Sequence, residues 1–198
     1  MGRRPWSCYR THIDRKPYVK KRGPRGKEFV HGGADPKIRI YDMGDIKRNV
    51  GKEPEDFDIC IGVQILHTVL CSDGTLESAR TSINRILRKY LGRAGFHLRI
   101  RPHPYRVYRE NKMMAFAGAD RLQSGMRGSF GKPIGRMALL KAGQILVEAH
   151  TNMKSLKIIR KALKTSCYKF PAACRLVILG SKTDEYAQKA GLPRPEQP

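Results

Sequence analysis

Residues 59–100 read ICIGVQILHTVLCSDGTLESARTSINRILRKYLGRAGFHLRI, and three elements follow one another along them. Ile59 to Leu70 is β-rich and apolar, interrupted only by Gln64, His67 and Thr68, which is the pattern of a strand buried on both faces and is expected at the centre of a sheet. Asp73-Gly74-Thr75 then supplies cap chemistry, and Leu76, Ala79, Ile83, Ile86, Leu87 and Tyr90 recur at the spacing of one helix face. Arg80, Arg88 and Lys89 lie off that stripe. The helix should stop at Gly92 or Gly95, after which Phe96, Leu98 and Ile100 alternate with His97, Arg99 and Arg101 in a half-buried strand whose outer row is basic.

Outward from this core, the alternation of Ile38, Ile40 and Met43 predicts an earlier strand with Lys37, Arg39 and Tyr41 on its other face. Pro102 and Pro104 interrupt the ladder, so Tyr105 to Arg109 is either a resumed edge strand or a bulged continuation. From Glu110 to Gly135 the chain contains Gly118, Gly125, Gly128, Gly131 and Gly135 with no sustained period, which predicts a long loop of the functional kind. Ala138–Leu140 and Ile145–Ala149 read as strands joined around Gly143. A second helix follows, capped by Thr151 or Asn152, with Met153, Leu156, Ile159 and Leu163 buried and Lys154, Lys157, Arg160, Lys161 and Lys164 mostly exposed. Leu176 to Leu179 makes a last buried strand. This order predicts an α+β sandwich, two main helices packed on a mixed β-sheet. It divides into an extended basic N-terminal segment over 1–34, a single α+β domain over 35–182 that includes the internal loop 110–136, and a polar C-terminal tail over 183–198.

Forty Lys and Arg against 17 Asp and Glu give a net charge of +23. Residues 1–27 carry ten bases and one acid, residues 28–78 ten acids and five bases, and residues 79–112 ten bases and one acid. Such imbalance implies a polyanion, with nucleic acid ahead of anionic membrane, because each cation that meets a phosphate releases condensed counterions. The acidic stretch should face away from that partner. With Gly2, Pro5, Pro17, Gly23, Pro24 and Gly26 in it, the first segment is expected to be extended and ordered by its partner. Hydrophobic residues at 40% supply a core beneath the charge.

The run from Ile59 to Leu70 is too short and polar to span a bilayer, the N-terminus lacks the apolar region of a signal peptide, and the five Cys show no close pairing pattern. A reducing intracellular setting is expected. Pro5 and Trp6 make Met1-Gly2 a poor myristoylation signal. Gly131-Lys132 ends like a P-loop, but Met126 and Pro133 stand where the turn glycine and the magnesium-binding hydroxyl belong. Cys8, Cys60, Cys71, Cys167 and Cys174 have no zinc-ligand spacing, so no metal and no cofactor are expected. Glu53, Glu55, Asp56 and Asp58 read as a solvated connector rather than an acid and base pair. Trp6, Tyr9, Tyr18, Tyr105 and Tyr108 each lie near Arg or Lys, the mixture that stacks on unpaired bases while cations hold phosphates. Trp6 has nothing near it in sequence to form a core, which favours RNA or protein contact; for Tyr105 and Tyr108 core and contact are equally open. The competing class is an RNA-modifying or RNA-cleaving enzyme built on His97, His103 and Cys60. A free regulator of RNA is a third.

Particular strings carry more than composition. Gly2-Arg-Arg-Pro5, Cys8-Tyr-Arg10, Lys16-Pro-Tyr18, Asp35-Pro-Lys-Ile-Arg-Ile-Tyr-Asp42, Phe96-His97, Asn111-Lys-Met113, Ala117-Gly-Ala-Asp-Arg-Leu-Gln123, Gly125-Met-Arg-Gly128 and Phe130-Gly-Lys-Pro133 closely resemble one family. It is the eukaryotic and archaeal large-subunit ribosomal protein family L-ten, counterpart of bacterial L-sixteen, and the resemblance covers residues 1 to about 180. It implies a fold of the α/β hammerhead type lodged between RNA helices near the aminoacyl-tRNA side of the large subunit. It further implies that the loop matching 112–125 reaches toward the peptidyl transferase centre and the end of the peptidyl-site tRNA, with Arg109 at its base. Late cytoplasmic joining, linked release of assembly and export factors, and a chaperone for the N-terminal segment are implied as well. The chain departs from the family in a short C-terminus, in a longer Gly23–Gly33 connector and in a shorter turn over 67–74.

The expectation is therefore a non-catalytic ribosomal protein that acts in the cytoplasm, with large-subunit rRNA, nearby tRNA and neighbouring ribosomal proteins as partners. Its RNA-binding residues are expected to be Arg3, Arg4, Trp6, Arg10, Lys16, Lys20, Lys21, Arg22 and Arg25 in the first basic block, Arg80, Arg88, Arg99, Arg101, Arg106 and Arg109 in the second, and Arg127 and Lys132 beyond. The cleft loop is expected to use Lys112, Met113, Met114, Ala117, Gly118, Ala119, Asp120, Arg121, Leu122 and Gln123.

Overall fold

The computed structural model describes residues 4–14, 16–24, 26, 28–51, 53, 55–111, 126 and 129–195. Within them the chain is α+β. A five-stranded sheet runs in the order β10 (Cys174–Ser181), β4 (Ile59–Ile65), β9 (Ile145–Thr151), β6 (Phe96–Ile100), β3 (Asp42–Gly44). A three-stranded sheet runs β5 (Val69–Ser72), β8 (Lys132–Leu140), β7 (Arg106–Glu110), and β1 (Val19–Lys21) and β2 (Glu28–Val30) form a hairpin. The mixed sheet that the sequence predicts resolves into antiparallel ladders: every named strand pair is antiparallel, and the parallel component is an isolated bridge between Val50 and Phe57.

The run 59–70 is not one strand. It bends at Leu66–Thr68 and passes from the larger sheet into the smaller, and its partner chain bends beside it between β8 and β9. Gly143 makes that companion bend in the left-handed region, at φ 79°, and donates its N–H to Ile65 O at 2.9 Å, while Ala142 N–H donates to Thr68 Oγ1 at 3.0 Å. The bend falls on the polar pair His67–Thr68, exposed together with Leu66 while both flanking strands are buried, so the interruption read within one strand is the break between two. In consequence β9 rather than β4 is central, and β8 and β9, expected around Gly143, belong to different sheets.

Helix α1 (Asp73–Leu91) begins where Ser72 Oγ accepts the Thr75 N–H at 3.2 Å, and it ends at Gly92. Asp73 is buried and ties the helix start to the preceding chain by accepting the Lys37 N–H at 2.9 Å. Helix α2 (Leu156–Cys167) follows a 3-10 turn over Met153–Ser155 that the sequence did not announce. The two helices pack on each other and on one face of the five-stranded sheet. There Leu76, Ile83, Leu87, Ile159 and Leu163 meet Ile59, Ile61, Val63, Leu98 and Ala149 in a single core.

Three further expectations change. The strand expected over Ile38–Met43 shrinks to Asp42–Gly44, with Ile38 buried but Ile40 exposed, because 37–41 runs outside the ladder. The loop expected to last until Gly135 ends at Lys132: Gly135 is a strand residue, placed where a Cβ would lie 2.7 Å from the Tyr108 hydroxyl. The polar tail contains α3 (Asp184–Ala190), whose Ala190 is buried as the helix packs on β10. Among the described residues no helix is long and apolar enough to cross a membrane.

Candidate nucleic-acid interface

The face of the large sheet turned away from α1 and α2 carries the basic row expected of the 96–101 strand, but strand pairing places an acid beside each cation. Arg99 lies opposite Asp42 on β3 and opposite Glu148 on β9. Its Nε donates to Asp42 Oδ1 at 2.8 Å, and Arg101 Nε reaches Glu148 Oε1 at 2.8 Å. Both guanidinium groups are about half exposed, at 52% and 53%. A phosphate would have to compete with a carboxylate already in place. One row further along, His97 and His150 sit opposite each other with rings stacked 5.1 Å apart, and Cys60 lies opposite His150 with Sγ 3.7 Å from Nε2.

Arg80 is similarly engaged. Glu77, one turn earlier on α1, accepts from both its Nε and Nη2, and Met43 Sδ accepts from Nη1 at 3.2 Å. That arrangement holds the Glu77 carboxyl below its ordinary range and raises the Arg80 guanidinium. Arg88, by contrast, is exposed in the last turn of α1 with no acid three or four residues from it in sequence.

The N-terminal segment is bound to the small sheet. Trp6 Nε1 donates to Leu70 O at 2.8 Å, and Leu70 N–H donates to Arg10 O at 2.9 Å, so both backbone groups that this edge strand presents at Leu70 are satisfied by the segment. Trp6, Tyr9 and Tyr108 form a ring cluster with centroids 5.3 to 5.4 Å apart. Arg106, buried and expected to bind RNA, instead donates to Ile13 O and to the Tyr105 hydroxyl. Trp6 thus has a core after all, supplied by strands some sixty and a hundred residues away, which local sequence could not reveal. Arg4 stands 3.8 Å from Glu110. Arg109 lies over the Phe130 ring at 4.0 Å, donates to Phe130 O, and lines a cleft of about 300 Å³ with Tyr9, Tyr108 and Glu110. Arg10, Lys16, Lys20, Lys21 and Arg22 are exposed along the segment and its hairpin, and Lys132 is exposed at the start of β8. Arg3, Arg25, Arg127 and the whole expected cleft loop, Lys112 to Gln123, lie outside the described residues.

The helix layer behaves differently. Between Glu148 and Asp184 the chain has no Asp or Glu and eight Lys or Arg. Lys154, Lys157, Lys161 and Lys164 are all exposed, while Ile159, Ala162, Leu163 and Ser166 form the buried side of α2. At about 100° per residue Lys157, Lys161 and Lys164 fall within roughly 60° of arc, on the side opposite the buried residues, with Lys154 on the 3-10 turn before them. Beside them α1 adds exposed Arg85, Arg88 and Lys89. The expected binding residues omit the α2 lysines, although helical periodicity marks them as exposed. The signal that finds them is the lack of acids between residues 148 and 184, a charge imbalance of the same kind as that over 1–27 and 79–112.

The alternative enzymatic set is not assembled. His103 is exposed and lies against Tyr41 with ring centroids 4.1 Å apart, whereas Cys60 meets His150. Burial, with Glu148 nearby, pushes the Cys60 thiol up to about 12, and burial, His97 and Arg99 push His150 down to about 4. A thiol that keeps its proton beside an imidazole that stays neutral is a poor nucleophile pair. Among the described residues no group of three or more His, Cys, Asp or Glu is placed to hold a metal ion.

The chain is similar to known proteins over most of its length. Residues 13–177 match the family described as Ribosomal protein L16p/L10e. The chain is 41% identical over 178 residues to the large ribosomal subunit protein uL16 of Dictyostelium discoideum, an alignment that covers 90% of this chain and 77% of that one. It is 41% identical to the protein of the same name from Pinus taeda, with 90% and 73% covered, and 42% identical to that of Candida albicans, with 90% and 76% covered. With the match running from the N-terminal segment to the last strand of the large sheet, the chain belongs to the L16p/L10e family of large-subunit ribosomal proteins.

Proposed function

We propose that the chain binds large-subunit rRNA beside the tRNA-binding cleft and, without catalysing a reaction, supports tRNA positioning and late subunit maturation in the cytoplasm. The observation that carries this reading is the coexistence of a net charge of +23 with two stretches, residues 16–27 and α2, whose cations have no acid in their own segment. Self-repulsion of that kind is relieved by a polyanion that completes the surface. The family supplies the polyanion, since large-subunit proteins are embedded in rRNA and in neighbouring ribosomal proteins.

Finer parts of the reading rest on the resemblance of particular strings. The α/β hammerhead description, the reach of loop 112–125 toward the tRNA acceptor end, the release of assembly and export factors and a chaperone for the N-terminal segment are proposed on that ground. Arg109, held by Phe130 at the base of the loop, fits a residue that anchors rather than contacts.

Sedimentation of the chain with large subunits through a series of salt concentrations tests the proposal. Release only at high salt, with activity in translation lost on deletion of residues 112–125 while co-sedimentation persists, is the expected result. A chain that stays at the top of the gradient at low salt would contradict it.

A further inference from the structure

Several cations expected to bind RNA are engaged inside the protein, whereas the lysines of α2 and the turn before it, outside the expected binding residues, have no acid in their own stretch of sequence. Arg80, Arg99 and Arg101 pair with Glu77, Asp42 and Glu148, and Arg106 is buried against Ile13 O. By contrast, Lys154, Lys157, Lys161 and Lys164 are exposed along α2 and the turn before it, and the ion pairs found among the described residues include none of them. No acid lies within the sequence between Glu148 and Asp184 to serve as a local partner.

We infer that this lysine row is a docking ridge for the phosphate backbone of double-helical RNA, read by charge and shape rather than by base sequence. The inference rests on the rRNA-binding reading above and assigns it to one face. Geometry favours a duplex. Ten helical residues at 1.5 Å each make a straight row of about 15 Å, and a B-form double helix presents a phosphate about every 1.7 Å of axis, so several phosphates fall within reach of the four amines. A-form RNA is at least as densely charged. Side-chain chemistry points the same way: Lys is a point charge without the planar fork that Arg uses for bidentate base contacts. No aromatic ring lies between the lysines of α2; the exposed rings nearest the row, Tyr90 and Tyr168, stand at the ends of α1 and α2.

The ridge is also rigid. α2 is held by Ile159, Ala162 and Leu163 in the core, and Ser166 Oγ donates to Leu163 O at 2.6 Å, so the lysine stems project from a fixed backbone and only their own torsions need ordering. An acidic protein neighbour is the other partner such a row could meet, and the experiment separates the two.

The test is equilibrium binding of the full chain to a blunt RNA duplex of about 20 base pairs and arbitrary sequence, at a series of salt concentrations. The same series is run on the variant carrying Lys154→Gln, Lys157→Gln, Lys161→Gln and Lys164→Gln together. The expected result is a log–log salt slope shallower by about 3.6 in the variant, at close to 0.9 for each phosphate no longer neutralised. An unchanged melting midpoint for the variant, and retention of the slope by the matched set of Lys→Arg changes, would assign the loss to charge rather than folding. An unchanged slope in the Gln variant overturns the ridge while leaving co-sedimentation with large subunits, and so the rRNA-binding reading, intact. Failure of the unaltered chain to co-sediment overturns both. Tighter binding of a poly-glutamate peptide than of the duplex, lost in the Gln variant, overturns RNA as the occupant.

Discussion

The two sides of the five-stranded sheet both display cations, but on the open side the β6 arginines stand beside acids. On the open side, pairing across antiparallel strands sets Asp42, Arg99 and Glu148 in one row, so acids meet bases at 2.8 Å. On the covered side, α1 and α2 shield the sheet and turn their own outer faces to the surroundings; α2 contains no acid at all. A cation count by itself therefore does not locate a polyanion site. The register of a sheet can supply counter-charges from residues fifty positions away, whereas a helix surface draws its neighbours from three and four residues away, where a deficit of acids is already written.

The comparison breaks hardest if α2 loses its seat. Leu163→Ala should destabilise the fold by about 2–4 kcal/mol, measured by urea unfolding, and should weaken duplex binding in proportion to the folded fraction. Duplex binding retained under conditions in which Leu163→Ala is unfolded would mean that the helix layer is not the ridge. Next in size is Trp6→Ala, which removes the indole hydrogen bond to Leu70 O and the packing against Tyr9 and Tyr108. About 2–3 kcal/mol should be lost with no change of salt slope, because Trp6 serves the small sheet. A drop in RNA affinity at unchanged stability would restore the base-stacking role expected from sequence.

Acid should sharpen the contrast, since the open side contains the half-buried His150. The His150 imidazole is pushed down to about 4, so the folded state favours its neutral form. Its stabilising contribution is complete above the unfolded value near 6.5, declines as pH falls below that, and is gone by about 4. The ceiling is about 3 kcal/mol, lowered to roughly 1–2 by the partly exposed ring. Thermal midpoints of the chain and of His150→Gln should therefore converge or cross between pH 6.5 and 4; parallel curves would remove the effect. The smallest change is expected from Glu148→Gln, which frees Arg101. Stability should move by less than about 1 kcal/mol, and the salt slope should steepen by up to about 0.9 as one more cation becomes free to meet a phosphate.

Much of this architecture was legible. The apolar spacing of Leu76, Ala79, Ile83 and Leu87 marks α1, Gly92 marks its end, and the alternation of Phe96, Leu98 and Ile100 marks β6, because each is a local pattern with its own period. What escapes depends on distant partners. His67 and Thr68 do mark the bend at Leu66–Thr68, but only the pairing of β4 with β9 and of β5 with β8 makes it a break between sheets rather than an interruption of one strand. Trp6 looks coreless because Leu70 and Tyr108 reach it only in three dimensions, and Arg106 looks free because Ile13 O does the same. The α2 lysines are visible in sequence throughout, and the acid-free stretch around them is what separates them from an ordinary solvated face.

The most direct measurement is amine-reactive footprinting of Lys154, Lys157, Lys161 and Lys164 in the free chain, in assembled large subunits, and in subunits briefly treated with a double-strand-specific nuclease. All four should label readily in the free chain, be protected in the subunit, and regain reactivity after nuclease. Equal labelling in the free chain and the intact subunit would contradict the assignment of the helix layer to RNA.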